Sequence, residues 1–185
     1  IENAAKEPEI VNVATFLNNM GAKIRGAGTE TITIKGVEHL HKAFHEVIPD
    51  RIEAGTYIII GALLGENLKI KRIIPTHVES LTSKLIEAGA DIEIKEDEII
   101  INAKDKYKSV NVKTQPYPGF PTDLQQPIIP FLTRCRGTST VEETIYENRF
   151  QNIYDTNRMG ANIIVKNNKI AKVKGITPLH GKNVT

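Results

Sequence analysis

Asp123 is a side chain whose type and setting would let it move a proton. It follows Thr114-Gln115-Pro116-Tyr117-Pro118-Gly119-Phe120-Pro121, whose prolines and glycine exclude regular structure and stiffen the backbone. It stands at the start of an apolar segment that reads as a helix, where backbone amides favour a charged carboxylate. Such a group either caps the helix or serves as a base, and spacing alone leaves both open. Other acids sit in similar places. Glu7 and Glu9 flank Pro8, and Asp50 precedes Arg51 at the head of an apolar run. Acids belong in a first helical turn in any case. Arg149 stands near another helix start, where a cation is mildly unfavourable.

Several further groups read as structural. Cys135 lies between Arg134 and Arg136, but it follows an apolar helix and reads as a partly buried bystander thiol. His39, His41 and His45 fall in what reads as a hairpin, with Glu38 and Glu46 as their acidic neighbours, and a solvated edge accounts for them better than a metal site. Gly26-Ala27-Gly28 opens no helix, so it is a strand turn and not a phosphate cradle. Lys104, Lys106 and Lys108 bracket Tyr107 as a solvated face.

These residues hang on a repeated frame. Met20-Gly21-Ala22-Lys23-Ile24, Ala88-Gly89-Ala90-Asp91-Ile92 and Met159-Gly160-Ala161-Asn162-Ile163 carry one step three times, with glycines 68 and 71 residues apart. Common solenoid repeats run ~20–50 residues, so this unit must hold several strands and two helices. Helices are predicted from Pro8 to Met20, from Asp50 to Leu64, from Thr76 to Gly89, from Asp123, and from Asn148 to Met159. Thr76 and Glu79 have the spacing of a capping box. Pro127 and Pro130 predict an irregular first turn or a kink. Strands are predicted at 23–25, 31–35, 44–47, 68–73, 92–94, 99–101, 110–112 and 138–145, with a last hairpin around Asn167-Asn168. Single apolar stripes on the helices and alternation in the strands place helices on one side of each sheet. The expected class is α+β, built from repeated βαβαββ units.

Composition narrows the function. With 24 basic and 22 acidic residues and aromatic content of 5%, the chain has neither the charge nor the stacking groups of a nucleic-acid platform. No apolar run approaches the ~20 residues that span a bilayer. One cysteine allows no internal disulfide and no cysteine metal cluster. Cytoplasmic is the expected location. Both ends read as cut from something longer.

Four ordered motifs are specific. Ile1-Glu2-Asn3-Ala4-Ala5-Lys6-Glu7-Pro8-Glu9, Pro49-Asp50-Arg51-Ile52-Glu53-Ala54-Gly55-Thr56, Pro118-Gly119-Phe120-Pro121-Thr122-Asp123-Leu124-Gln125 and Glu147-Asn148-Arg149-Phe150 resemble the enolpyruvyl transferases, along the whole chain but over a little under half of that family's usual length. The resemblance implies an α/β prism, an inside-out α/β barrel. Residues 1–48 would be the C-terminal part of the first domain, and residues 49–185 two of the second domain's three units. It implies transfer of the enolpyruvyl group of phosphoenolpyruvate to the 3-hydroxyl of UDP-N-acetylglucosamine, with release of phosphate, in peptidoglycan precursor synthesis. No cofactor and no metal is implied.

In that scheme Asp123 is the catalytic base and a sugar contact. Ile145 meets the nucleotide sugar through its main chain, Arg149 faces the cleft, and Glu7, Glu9, Asp50 and Arg51 are possible cleft residues. The family's catalytic cysteine, its Lys-Asn pair and its phosphate-binding arginine match nothing here. The polypeptide alone is therefore expected to be inactive. Open strand edges favour self-association or a complex with the missing half. Two alternatives stay open: an enzyme acting on 3-phosphoshikimate, and a non-catalytic structural or binding module of the same fold.

Overall fold

Pro8 fills a first helical position, where its missing N–H costs nothing, and α1 runs Pro8–Asn19. Beyond it the chain turns at Gly21, with φ of 97°, into the antiparallel pair β1 (Lys23–Arg25) and β2 (Thr33–Lys35). The computed structural model describes residues 1–183. Its contacts define two compact units: Ile1–Pro49 with Pro116–Pro118, and Asp50–Gln115 continuing from Gly119.

The second unit opens with α2 (Arg51–Leu64), β3 (Leu68–Lys71), α3 (Glu79–Ala88), β4 (Asp91–Ile94) and β5 (Glu98–Asn102). It continues through β6 (Tyr107–Lys108), β7 (Val112–Lys113), α4 (Gln125–Thr133), β8 (Cys135–Glu142), α5 (Asn152–Arg158), β9 (Asn162–Lys166) and β10 (Ile170–Gly175). One sheet has the order β3-β5-β4, all antiparallel. The other runs β8-β10-β9 antiparallel, with β6 and β7 both parallel to β8. Helix α2 packs on β5 and on α4, and α4 packs on β10. The helices share one core with the inner faces of the sheets; Ile58, Ile59, Leu81, Ile128, Phe131 and Val173 are all buried in it. In β10, Ala171 and Val173 point in while Lys172 and Lys174 point out, the alternation expected of a sheet with one wet face. The class is α+β, as expected.

The threefold step has a physical cause. Gly21, Gly89 and Gly160 take φ of 97°, 101° and 108° just past a helix, a conformation that suits glycine. At the first and third steps an asparagine clamps the next strand. Asn18 exchanges two hydrogen bonds with the Ile24 backbone, each 2.8 Å, and Asn157 does the same with Ile163 at 2.9 and 3.0 Å. Gly61 serves another need: a Cβ there would lie 2.2 Å from Ile101 Cγ2, so α2 approaches β5 only with glycine at that point.

Several boundaries differ from the expectations. Phe44–Val47 is not a strand; none of the described residues pairs with it, and Phe44 is exposed. The histidines therefore lie outside any hairpin, with His45 stacked on Phe16 and 3.2 Å from Asn12 Oδ1. Thr76 does not cap a helix, because Pro75–Val78 form a 3-10 turn and α3 starts uncapped at Glu79. The strand expected at 110–112 is split. Between β6 and β7 the edge is carried by side chains, with Val110 N–H donating to Ser139 Oγ and Thr140 N–H to Asn111 Oδ1. α4 does begin irregularly, after a 3-10 turn at Thr122–Leu124. α5 starts late because Asn148 has φ of 56°, which no helix passes through.

Candidate functional site

Strand β8 buries Ser139 and Val141, and the same alternation carries Glu143 inward just past its end. A carboxylate at a core-facing position needs donors, and the chain supplies them from three segments. Glu143 Oε1 accepts from Thr114 Oγ1 at 2.9 Å, Ile145 N–H at 2.8 Å and Tyr146 N–H at 3.1 Å. Its Oε2 accepts from Thr122 Oγ1 at 2.8 Å. The side chain is 1% exposed. Buried Thr114 follows β7 and accepts the Thr144 N–H at 2.8 Å. The strand predicted at 138–145 ends at Glu142 because the next amides fold back onto this carboxylate.

From Thr122 the network runs outward. Arg149 Nη1 donates to Thr122 Oγ1 at 3.1 Å, and Nη2 to Asp123 Oδ1 at 2.6 Å. The guanidinium also lies over the Tyr146 ring, 5.0 Å from its centre. A forked guanidinium can hold a hydroxyl and a carboxylate together. Arg149 is largely covered, with side-chain exposure of 26%, whereas the Asp123 side chain is 53% exposed. The carboxylate is thus held on one side and open on the other. Neither the 3-10 turn nor α4 receives a side-chain cap from the residue before it. Asp123 instead directs its carboxylate to Arg149.

Asp123, Arg149 and the Ile145 main chain, candidates from sequence, come together around Glu143. Asp50 is engaged elsewhere. Its Oδ1 accepts from Ile52 N–H at 2.7 Å and Glu53 N–H at 3.1 Å, capping α2. Arg51 is the first residue of that helix and half-buried. In the first unit, Glu7 is the residue preceding α1, and Glu9 is exposed in its first turn. Cys135 is fully buried, and desolvation pushes its thiol up to about 12. It is a poor nucleophile. Sequence reasoning missed Glu143, Thr114, Thr122 and Tyr146. The available signal was the acid that falls in step with buried Ser139 and Val141.

The family model described as EPSP synthase (3-phosphoshikimate 1-carboxyvinyltransferase) matches residues 1–185. The chain is 54% identical, over its full length and 43% of that protein, to UDP-N-acetylglucosamine 1-carboxyvinyltransferase 2 of Bacillus subtilis (strain 168). It is 51% identical, over its full length and 44% of that protein, to the enzyme of the same name from Listeria monocytogenes serotype 4b (strain F2365). The crystal structure of the enolpyruvyl transferase NikO from Streptomyces tendae superposes with a TM-score of 0.86 at 25% identity, covering 97% of this chain and 43% of that one. The chain spans a little under half the length of these relatives.

Proposed function

Because the chain belongs to the EPSP synthase family of enolpyruvyl transferases, we propose that it forms the acceptor-binding half of a transferase acting on UDP-N-acetylglucosamine and phosphoenolpyruvate. The observation that carries this reading is the half-exposed Asp123 carboxylate, held 2.6 Å from Arg149. Asp123 takes the proton of the sugar 3-hydroxyl as the oxygen bonds to the phosphate-bearing carbon of phosphoenolpyruvate. The terminal carbon gains a proton from an acid outside this chain. Loss of phosphate and of a proton then restores the double bond. General base help of this kind contributes about 10²–10⁴-fold. The Ile145 N–H is committed to Glu143, so its carbonyl is the main-chain group it offers the nucleotide sugar. Arg149 orients the base.

In this reading residues 49–185 supply two of three repeats of one domain, and residues 1–48 close the other. Glu7 and Glu9 of the first unit, and Asp50 and Arg51 of the second, are further candidates for ligand contact, Asp50 while also capping α2. The reaction serves peptidoglycan precursor synthesis in the cytoplasm, and through it cell-wall growth, shape and division. The isolated chain associates with the missing half or with itself.

The test is phosphate release by the full-length enzyme with phosphoenolpyruvate and one of two acceptors. UDP-N-acetylglucosamine supports turnover and 3-phosphoshikimate does not; the opposite result overturns the reading. The 185-residue polypeptide alone releases no phosphate with either.

A further inference from the structure

We infer that Glu143 is a positioning residue for the transfer reaction: through Thr122 and through the Ile145 amide, its buried carboxylate sets the base and the main-chain acceptor contact in one geometry. This rests on the reading of Asp123 as base.

A buried carboxylate is costly unless each lone pair finds a donor. Glu143 finds four donors, from Thr114, Thr122, Ile145 and Tyr146. The fold itself does not demand this arrangement. Lys71 pairs with Glu98 in the first repeat as Glu142 pairs with Ile170 in the second, so Arg72 and Glu143 occupy equivalent positions. Arg72 is exposed, with φ of 54°, and its strand ends without any buried carboxylate. What distinguishes the second repeat is where the network leads. One arm reaches Asp123 through Thr122 and Arg149, and the other fixes Ile145.

The Thr122 hydroxyl is the critical relay. It has one proton, and that proton goes to Glu143 Oε2, which leaves its lone pairs for Arg149 Nη1. With this hydroxyl holding one guanidinium nitrogen, the other meets Asp123. Glu143→Gln keeps the shape, and its amide oxygen can keep the Oε1 contacts. The amide nitrogen, however, is a donor facing Thr122, so the polarity of that bond reverses and the hydroxyl must turn.

The test uses the full-length transferase, with kcat expressed per folded active site and thermal unfolding followed in parallel. Glu143→Gln and Thr122→Val are each expected to lower kcat about 10–100-fold, the worth of a hydrogen bond to a charged group. The double variant should be no worse than the poorer single, since both cut one relay. Thr122→Ser, which keeps the hydroxyl, should recover most of the activity. If Glu143→Gln lowers the unfolding temperature while kcat per folded site stays at wild type, Glu143 is structural and the inference is overturned. Additive losses overturn it too. Should Glu143→Gln fail to fold, the Thr122→Val and Thr122→Ser pair decides: equal activities in the two overturn the relay. Asp123→Asn separates this failure from that of the parent reading. An active Asp123→Asn removes the base and the inference with it. An inactive Asp123→Asn beside a fully active Glu143→Gln removes the inference alone.

Discussion

The two repeats of the second unit share a frame and differ in where they put their carboxylates. In the first, Pro49-Asp50 opens α2, and Asp50 turns back on the helix as its cap. In the second, Pro121-Thr122-Asp123 opens the equivalent helix through a 3-10 turn, and Asp123 points away to Arg149. After β3, which follows α2, the first repeat exposes Arg72, and after β8, which follows α4, the second buries Glu143. The same fold therefore closes with its acids used for stability in one copy, and with a charged, outward-reaching network in the other.

The comparison is sharpest at the two aspartates. In the full-length enzyme, Asp123→Ala should lower kcat by about 10²–10⁴-fold with little change in unfolding temperature. Asp50→Ala should show itself in denaturant unfolding, at a cost of about 1 kcal/mol, the usual worth of an N-cap. A fully active Asp123→Ala would erase the contrast between the repeats.

A smaller effect is expected at Arg149. Arg149→Lys keeps the charge but loses the fork that joins Thr122 to Asp123. Its kcat/KM for the nucleotide sugar should fall about tenfold. An unchanged kcat/KM would show that the charge alone suffices.

Cys135 offers a test by pH. Burial raises its thiol from 9.0 to about 12 in the folded chain. The sign follows from linkage. The neutral thiol's contribution to stability is fully present below pH 9.0, and is lost as pH rises from there toward about 12. Iodoacetamide at pH 8 should label Cys135 only after denaturant is added. Rapid labelling of the native protein would contradict the burial.

The smallest effect belongs to Arg72. Arg72→Asn, which tolerates the left-handed backbone, should shift stability by no more than about 0.5 kcal/mol and leave turnover at the wild-type level. A large loss of turnover would mean that the first repeat also supports the chemistry.

Much of the frame was legible in the sequence. Glycines after helices, prolines at helix starts and the Asn167-Asn168 turn, with φ of 51° and 53°, are local signals with local causes. They set the repeat period, the starts of α1 and α2, and the last hairpin. Phe44–Val47 misled because alternation describes a strand's faces but supplies no neighbour to pair with. The site was legible only as a set of candidates. A helix-start aspartate looks the same whether it caps its own helix or meets an arginine 26 residues away.

Local spacing by itself determined where most helices, hairpins and turns fall, because those preferences act between residues a few positions apart. Only the tertiary structure decided which acid caps, which pairs and which is buried as a hub. Those choices depend on donors brought from segments 21 to 29 residues distant, and a carboxylate becomes tolerable inside a protein only once the fold has delivered them.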